Sequence, residues 1–294
     1  MPHISKPKKI WTSPHGRPLP QDFSERTLLM GIVNTTPDSF SDGGEFATPE
    51  TAARHACELA AAGADIIDIG AESTRPGSAK IDAAEEMRRL VPALKAIRER
   101  LPEIPVSVDT YRAEVAETAI AAGADIINDV CAIARNGAPE NYEIGRLAAR
   151  LRCPLIAMHN RFGDDDYGED FWGNFISDMR AGARKILECG VPEEQLWLDP
   201  GFGFGKTPRQ NLEIVARLRE IAQIGFPVLL GTSRKSTLGV VLGGKPPKER
   251  TGGDAACSAL GVFHGAAALR LHEPAAHKDA IVTADAIFCA VFRA

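Results

Sequence analysis

One local pattern recurs eight times along the chain: a short apolar run rich in β-branched residues, closed by a polar or charged residue and followed by a helix-compatible stretch. The runs close at Asn34, near Arg75, and at Asp109, Asn128, His159, Asp199, Lys235 and His272. Two of them share the lead-in AAGADII, at residues 61–67 and 121–127, a repeat whose copies lie two βα units apart. Buried parallel strands alternating with helices define an α/β protein. Eight such units in one chain predict a single closed (β/α)8 TIM barrel over residues 27–294, with an open doubly wound sheet as the alternative. In both architectures ligands bind beyond the carboxyl ends of the strands, so the closing residues should converge on one site.

Composition narrows the function. At 294 residues with 44% hydrophobic content, the chain can bury one large core. A net charge of -5 lacks the basic footprint of a nucleic-acid binder. No apolar stretch reaches bilayer length, and no apolar segment follows the charged N-terminus, so neither membrane spanning nor secretion is expected. Six scattered cysteines without a CxxC pair or zinc spacing predict reduced thiols in a cytoplasmic protein. Residues 1–26, rich in Pro and Lys, are expected to form a tail and a short hairpin around His15 and Gly16, either disordered or covering the barrel bottom. Longer loops are expected at 35–48, 71–81, 160–170 and 243–251.

Strand alternation puts Ile32 with Asn34, Ser107 with Asp109, Ile126 with Asn128, Trp197 with Asp199 and Arg270 with His272 on one face. Val106, Val108, Leu196, Leu198, Leu269 and Leu271 then face the helices. Asp109, Asn128, Asp199 and Lys235 would offer the barrel mouth two carboxylates, an amide and a cation, a set suited to a flat heterocycle edged with amide, amine and ring nitrogens. Each one alone is equally well a helix cap or turn residue. Metal binding by the carboxylates is disfavoured by the lack of an HxH or HxxxE pair.

Arg270 and His272, with Asn34 on the neighbouring strand and Ser73, Thr74 and Arg75 in the second loop, gather donors suited to a phosphate group. The stretch 201–206, GFGFGK, fits neither nucleotide-binding glycine template. It is expected to turn tightly and expose Phe202 or Phe204 for stacking. Met158 is core or covers a ring face, and Cys131, with no histidine base, is inert. Ser236 should open a helix, as a cap or as a carboxylate contact, and Thr251 with Asp254 has the form of a capping box.

The stretches 30–44, MGIVNTTPDSFSDGG, and 72–77, ESTRPG, resemble the two signatures of the dihydropteroate synthase family. Further matches follow in order at 107–109, 127–129, 158–161, 198–206, 233–236 and 270–272, one per strand end. The resemblance implies condensation of 6-hydroxymethyl-7,8-dihydropterin pyrophosphate with p-aminobenzoate by a dissociative substitution, with Mg2+ as cofactor, in a homodimer. By position it implies that Asp109, Asn128, Asp199 and Lys235 hold the pterin edge, with Met158 at the ring. Asn34, Arg270 and His272 match the pyrophosphate and metal site, Asn34 being the metal ligand. Phe40, Asp42, Thr74, Arg75 and Pro76 match two closing loops, and Phe204 and Ser236 match the p-aminobenzoate pocket. On the same grounds Asp109, Asp199, Lys235, Arg270 and His272 are the expected catalytic set. A pterin-binding methyltransferase serving a corrinoid partner and a catalytically silent pterin-binding homologue are the alternatives.

Overall fold

The computed structural model describes residues 11–20, 26–36, 48–72, 80–134, 142–161 and 163–292. Eight strands, β1 (Leu28–Asn34), β2 (Ile66–Gly70), β3 (Val106–Asp109), β4 (Ile126–Ile133), β5 (Leu155–His159), β6 (Leu196–Asp199), β7 (Leu229–Leu230) and β8 (Ala268–Leu271), pair in parallel in the order β6-β5-β4-β3-β2-β1-β8-β7. Between β6 and β7 the ladder shrinks to one bridge, Leu198 with Val228, where the Leu198 N–H donates to the Pro227 carbonyl at 2.9 Å. The result is a nearly closed (β/α)8 barrel.

The strands alternate with α1 (Pro49–Ala61), α2 (Ala83–Arg100), α3 (Ala113–Ala121), α4 (Glu143–Leu151), α5 (Phe171–Glu188), α6 (Pro208–Ala216), α7 (Leu218–Ala222), α8 (Ser236–Val241), α9 (Thr251–Phe263) and α10 (Pro274–Phe292). Local chemistry starts several of them. Thr48 with Thr51 and Thr207 with Gln210 form reciprocal capping boxes, each followed by a proline in the first turn. Asp82 and Asp170 cap α2 and α5 through their carboxylates. Among the described residues, no helix is long and apolar enough to cross a membrane.

The repeated AAGAD lead-in does the same structural work twice. Gly63 (φ 97°) and Gly123 (φ 113°) end α1 and α3 in the left-handed region that glycine tolerates. The aspartate two residues later clamps the strand before it: Asp65 accepts the Leu29 N–H at 2.9 Å and Asp125 accepts the Val106 N–H at 3.0 Å. Asp125 is wholly buried and also takes Arg98, Arg17 and Ser13, so its charge is neutralised where it lies.

Alternation separates two cores. Val106, Val108, Leu196, Leu198, Leu269 and Leu271 pack between sheet and helices, as the period of two predicts. Leu28, Met30, Ile66, Ile126, Ile156, Trp197, Leu229 and Ala268 fill the lower interior with Trp11 and Leu19. Residues 11–20 therefore lie across the barrel bottom, where the chain turns as the Gly16 N–H meets the Ser13 carbonyl. Trp11 is fully buried, stacks on Trp197 at 4.2 Å between ring centroids and donates its indole N–H to the Pro20 carbonyl. β4 extends past Asn128 to Ile133 with a register shift, because the Asp129 carboxylate accepts the Cys131 N–H and bends the strand. Since the plug lies at the end opposite the strand carboxyl termini, Trp11→Ala should cost about 3–5 kcal/mol in urea unfolding. The groups at the strand carboxyl ends should keep their arrangement, and a cost below about 1 kcal/mol would show that the plug is dispensable.

Candidate active site

Above the apolar plug the inward positions turn polar. Asp68, on β2, is fully buried, and Arg270, on β8, reaches across β1 to it: Nε donates to Asp68 Oδ2 and Nη2 to Asp109 Oδ2, both at 2.7 Å. The Asn128 amide nitrogen lies 3.4 Å from both Asp68 oxygens. One guanidinium thus serves two carboxylates at the mouth. Burial pushes the Asp109 carboxyl up to about 7, with Arg270 opposing and Asp68 and Glu86 reinforcing. Asp199, at the top of β6, is also raised by burial against the pull of Lys235, and one of its oxygens accepts the Gly201 N–H at 2.7 Å. Asn128 Oδ1 and Ser107 Oγ are buried without a hydrogen-bond partner among the described residues. Such groups are costly unless something supplies partners. The floor is therefore rich in acceptors and calls for a ligand that donates N–H groups.

Lys235 closes the opposite wall. Its Nζ donates to the Phe202 carbonyl at 2.6 Å and stands 4.1 Å from the Phe204 ring centroid. Burial pushes the ammonium down to about 8 while Asp199 pulls it up. Lys235 is the N-cap position of α8 and Ser236, exposed, is its first residue, so Ser236 does not cap. The capping box expected at Thr251 and Asp254 does not form either. No side chain caps α9, and Asp254 instead reaches back to accept the Arg234 N–H at 2.8 Å. Arg234 holds φ 60°, a strained value for an arginine, and Arg250 fixes the same turn by donating to the Arg234 and Lys235 carbonyls. Of the two candidate stacking rings, Phe202 is buried in the core and Phe204 is half-buried beside Lys235.

The structure brings together Asp109, Asn128, Asp199, Lys235 and Arg270, with Met158, 3% exposed, paired to Asp199 across β5 and β6. His272 stands apart, its Nδ1 3.0 Å from Ser233 Oγ. Arg270, expected beside His272 on the rim, has its guanidinium turned down into the carboxylate cluster. Asn34 is half-buried at the top of β1. Phe40, Asp42, Thr74, Arg75 and Pro76 lie outside the described residues. At the end of β5 lies a buried network in which Asp178 joins His159 and Arg161. The Cys131 thiol is pushed far up by burial and by Asp129, which fits an inert side chain. Sequence reasoning missed Asp68, although it shares its parity with Ile66, and Lys206 and Asn211, discussed below.

A (β/α)8 barrel whose mouth presents buried acceptors to a flat, N–H-edged ring is the framework of an enzyme for a nitrogen heterocycle. The chain matches the family described as pterin binding enzyme over residues 30–272. It is 42% identical over 267 residues to the dihydropteroate synthase of Clostridium beijerinckii, covering 90% of this chain and 96% of that one. Among solved structures it is similar to a dihydropteroate synthase from Clostridium difficile in the presence of pteroic acid, at 41% identity and TM-score 0.83, covering 90% of this chain and 98% of that one. It is also similar to that of Xanthomonas albilineans with 4-aminobenzoic acid, at 39% identity and TM-score 0.84, covering 94% and 98%. The chain belongs to the pterin-binding enzymes and, within them, to the dihydropteroate synthases, transferases of folate synthesis.

The mouth's titrating groups give opposite pH dependences. Folding raises the Asp109 carboxyl from 3.8 to about 7, so its stabilising contribution is complete below about pH 4 and disappears as pH rises through 7. Asp129, pushed to about 7 by burial, adds the same sign. Lys235, lowered from 10.5 to about 8, makes stability rise between those values. The thermal midpoint of the unliganded protein should therefore fall between pH 4 and 7, and fall less steeply in Asp109→Asn. Parallel profiles for the two proteins would contradict this assignment.

Proposed function

We propose that the chain joins 6-hydroxymethyl-7,8-dihydropterin pyrophosphate to p-aminobenzoate, giving 7,8-dihydropteroate and pyrophosphate by a dissociative substitution at the residues described above. The observation that carries the residue assignment is the pair of orphaned buried acceptors, Asn128 Oδ1 and Ser107 Oγ, in a mouth lined by Asp109 and Asp199. A pterin edge, with its amino group and ring N–H, supplies the missing donors. Lys235 donates to the ring's acceptor atoms, and Met158 lies at its face.

An aniline nitrogen is a modest nucleophile, so catalysis rests on departure of the pyrophosphate. The bond from the pterin methylene carbon to the bridging oxygen breaks, and the electron pair leaves with pyrophosphate. Asp109 and Asp199 stabilise the cation left on the pterin. Among the described residues the Nη1 of Arg270 has no hydrogen-bond partner, and with His272 it faces the task of dispersing charge on the leaving group. The amine of p-aminobenzoate, held by Phe204 and Ser236, then forms the carbon–nitrogen bond and loses a proton. Loops bearing Phe40, Asp42, Thr74, Arg75 and Pro76 exclude water that would capture the cation.

The donor set also fits Mg2+. Asn34 offers one neutral hard oxygen atop β1, suited to an ion that takes its other ligands from diphosphate and water. Bound there, the ion would neutralise leaving-group charge. Pyrophosphate release should require both substrates, and Lys235→Ala and Asp109→Ala should each lower the rate by roughly 10²–10³-fold. Protein that binds pterin yet never forms dihydropteroate would overturn the reading.

The reading includes a cytoplasmic homodimer. Among the described residues Cys57, Cys131, Cys153, Cys189 and Cys257 form no disulfide, which suits a reducing compartment. Val240 and Val241 on α8, Leu260 on α9, and Val282, Ile287 and Val291 on α10 are 49% to 64% exposed. Such a concentration of apolar side chains on the later helices suits a partner copy. Ile287→Glu with Val291→Glu should shift the sedimentation coefficient to that of a monomer; an unchanged dimer would place the interface elsewhere.

A further inference from the structure

Two segments frame the seam between β6 and β7: the loop 200–207, which carries Phe204, and the start of α8, which carries Lys235 and Ser236. Beside the bond from Lys235 Nζ to the Phe202 carbonyl, a buried amide fastens them together. Asn211, on α6, is 1% exposed, and its Oδ1 accepts the Gly203 N–H at 2.7 Å. Its Nδ2 donates to the Lys206 and Thr207 carbonyls at 3.1 and 3.0 Å and to Thr237 Oγ1 at 3.0 Å. The loop bonds bracket Phe204 on both sides, and Thr237 directly follows Ser236. On the far side the Lys206 ammonium anchors the loop to β5, donating to the carbonyls of His159 at 3.3 Å, Gly201 at 3.1 Å and Phe204 at 2.9 Å. Gly201, at φ 66°, lies so close to β5 that a Cβ there would strike the His159 carbonyl oxygen.

We propose that Asn211 is a positioning residue that, through Gly203 and Lys206 on one side and Thr237 on the other, sets the gap between Phe204 and Ser236 and thereby governs recognition of the aromatic amine substrate without touching it. The proposal rests on the reading of that gap as the p-aminobenzoate pocket. Asn211 itself bonds only to Gly203, Lys206, Thr207 and Thr237, and none of its bonds reaches Asp109, Asn128 or Asp199 of the pterin floor. A buried amide with its oxygen and both hydrogens engaged has one orientation, and that rigidity passes to the two segments it bridges.

Steady-state kinetics with each substrate varied in turn tests the assignment, using Asn211→Asp, Thr237→Val and Thr237→Ser. Asn211→Asp keeps the acceptor for Gly203 and loses the donors. Thr237→Val keeps the shape and loses only the hydroxyl, so it carries the test if the buried aspartate prevents folding. Both should raise KM for p-aminobenzoate about tenfold, with KM for the pterin pyrophosphate and kcat changed less than about threefold. Thr237→Ser should restore the wild-type value, and the double variant should be no worse than Asn211→Asp alone, as residues on one path require. Equal rises in both KM values, or independent effects of the two sites, would overturn the proposal. Wild-type protein that forms no dihydropteroate would instead sink the reading of the pocket. Amide exchange at 203–206 keeps the two failures apart: Thr237→Val should speed it about tenfold, and unchanged exchange would refute the coupling whatever the activity.

Discussion

A single guanidinium shared between two carboxylates governs the barrel mouth. Arg270 spans from β8 to β2 and β3, crossing β1, so one side chain ties together strands that share no backbone ladder with its own. One positive charge cannot satisfy two buried carboxylates and a neighbouring amide oxygen. The mouth is left with excess acceptors, and this imbalance both disfavours the empty state and selects a ligand able to donate. Burial pushes the Asp109 carboxyl up, with Asp68 reinforcing it, and pushes the Lys235 ammonium down. Ligand binding and charge balance are thus one problem with one solution.

The rest of the interior is organised to let that imbalance persist. Trp11 and Trp197 fill the barrel bottom with stacked indoles, and the inward Met30, Ile66, Ile126 and Ile156 belong to the same buried apolar cluster. Charge at that end is handled differently. Asp125 is fully buried, yet two arginines, a serine and a backbone N–H surround it. The same residue type is saturated where it serves folding and left short of partners where it serves chemistry.

Much of this was legible in the sequence because strands write their faces in a period of two. Asp109, Asn128, Asp199 and Arg270 follow from parity alone. The AAGAD repeat marked equivalent places in two units, although its task, a glycine stop followed by an aspartate clamp on the preceding strand, needs the neighbouring strand to be seen. Asp68 obeys the same parity, but its run continues into ESTR, which drew attention to the loop. Thr251 and Asp254 had the spacing of a capping box, and a tertiary partner, the strained turn at Arg234, took the carboxylate instead. Asn211 left no signal, since an asparagine one turn inside a helix looks like a surface residue until the loop folds over it. The direction in which Arg270 turns was equally unreadable, because it depends on a partner 202 residues away.

The two-residue strand β7 leaves the barrel with an uneven skeleton. Elsewhere neighbouring strands are held by runs of backbone hydrogen bonds, whose strength hardly depends on which side chains are present. At the β6–β7 seam there is one bridge, and the side-chain bonds from Asn211 to Thr237 and from Lys235 to the Phe202 carbonyl take over the stitching. Stiffness there is written in residue identity rather than in the backbone. The part of the pterin floor on β3 and β4 is consequently as hard to alter as the barrel itself, while the part of the site beside the seam can be retuned one side chain at a time.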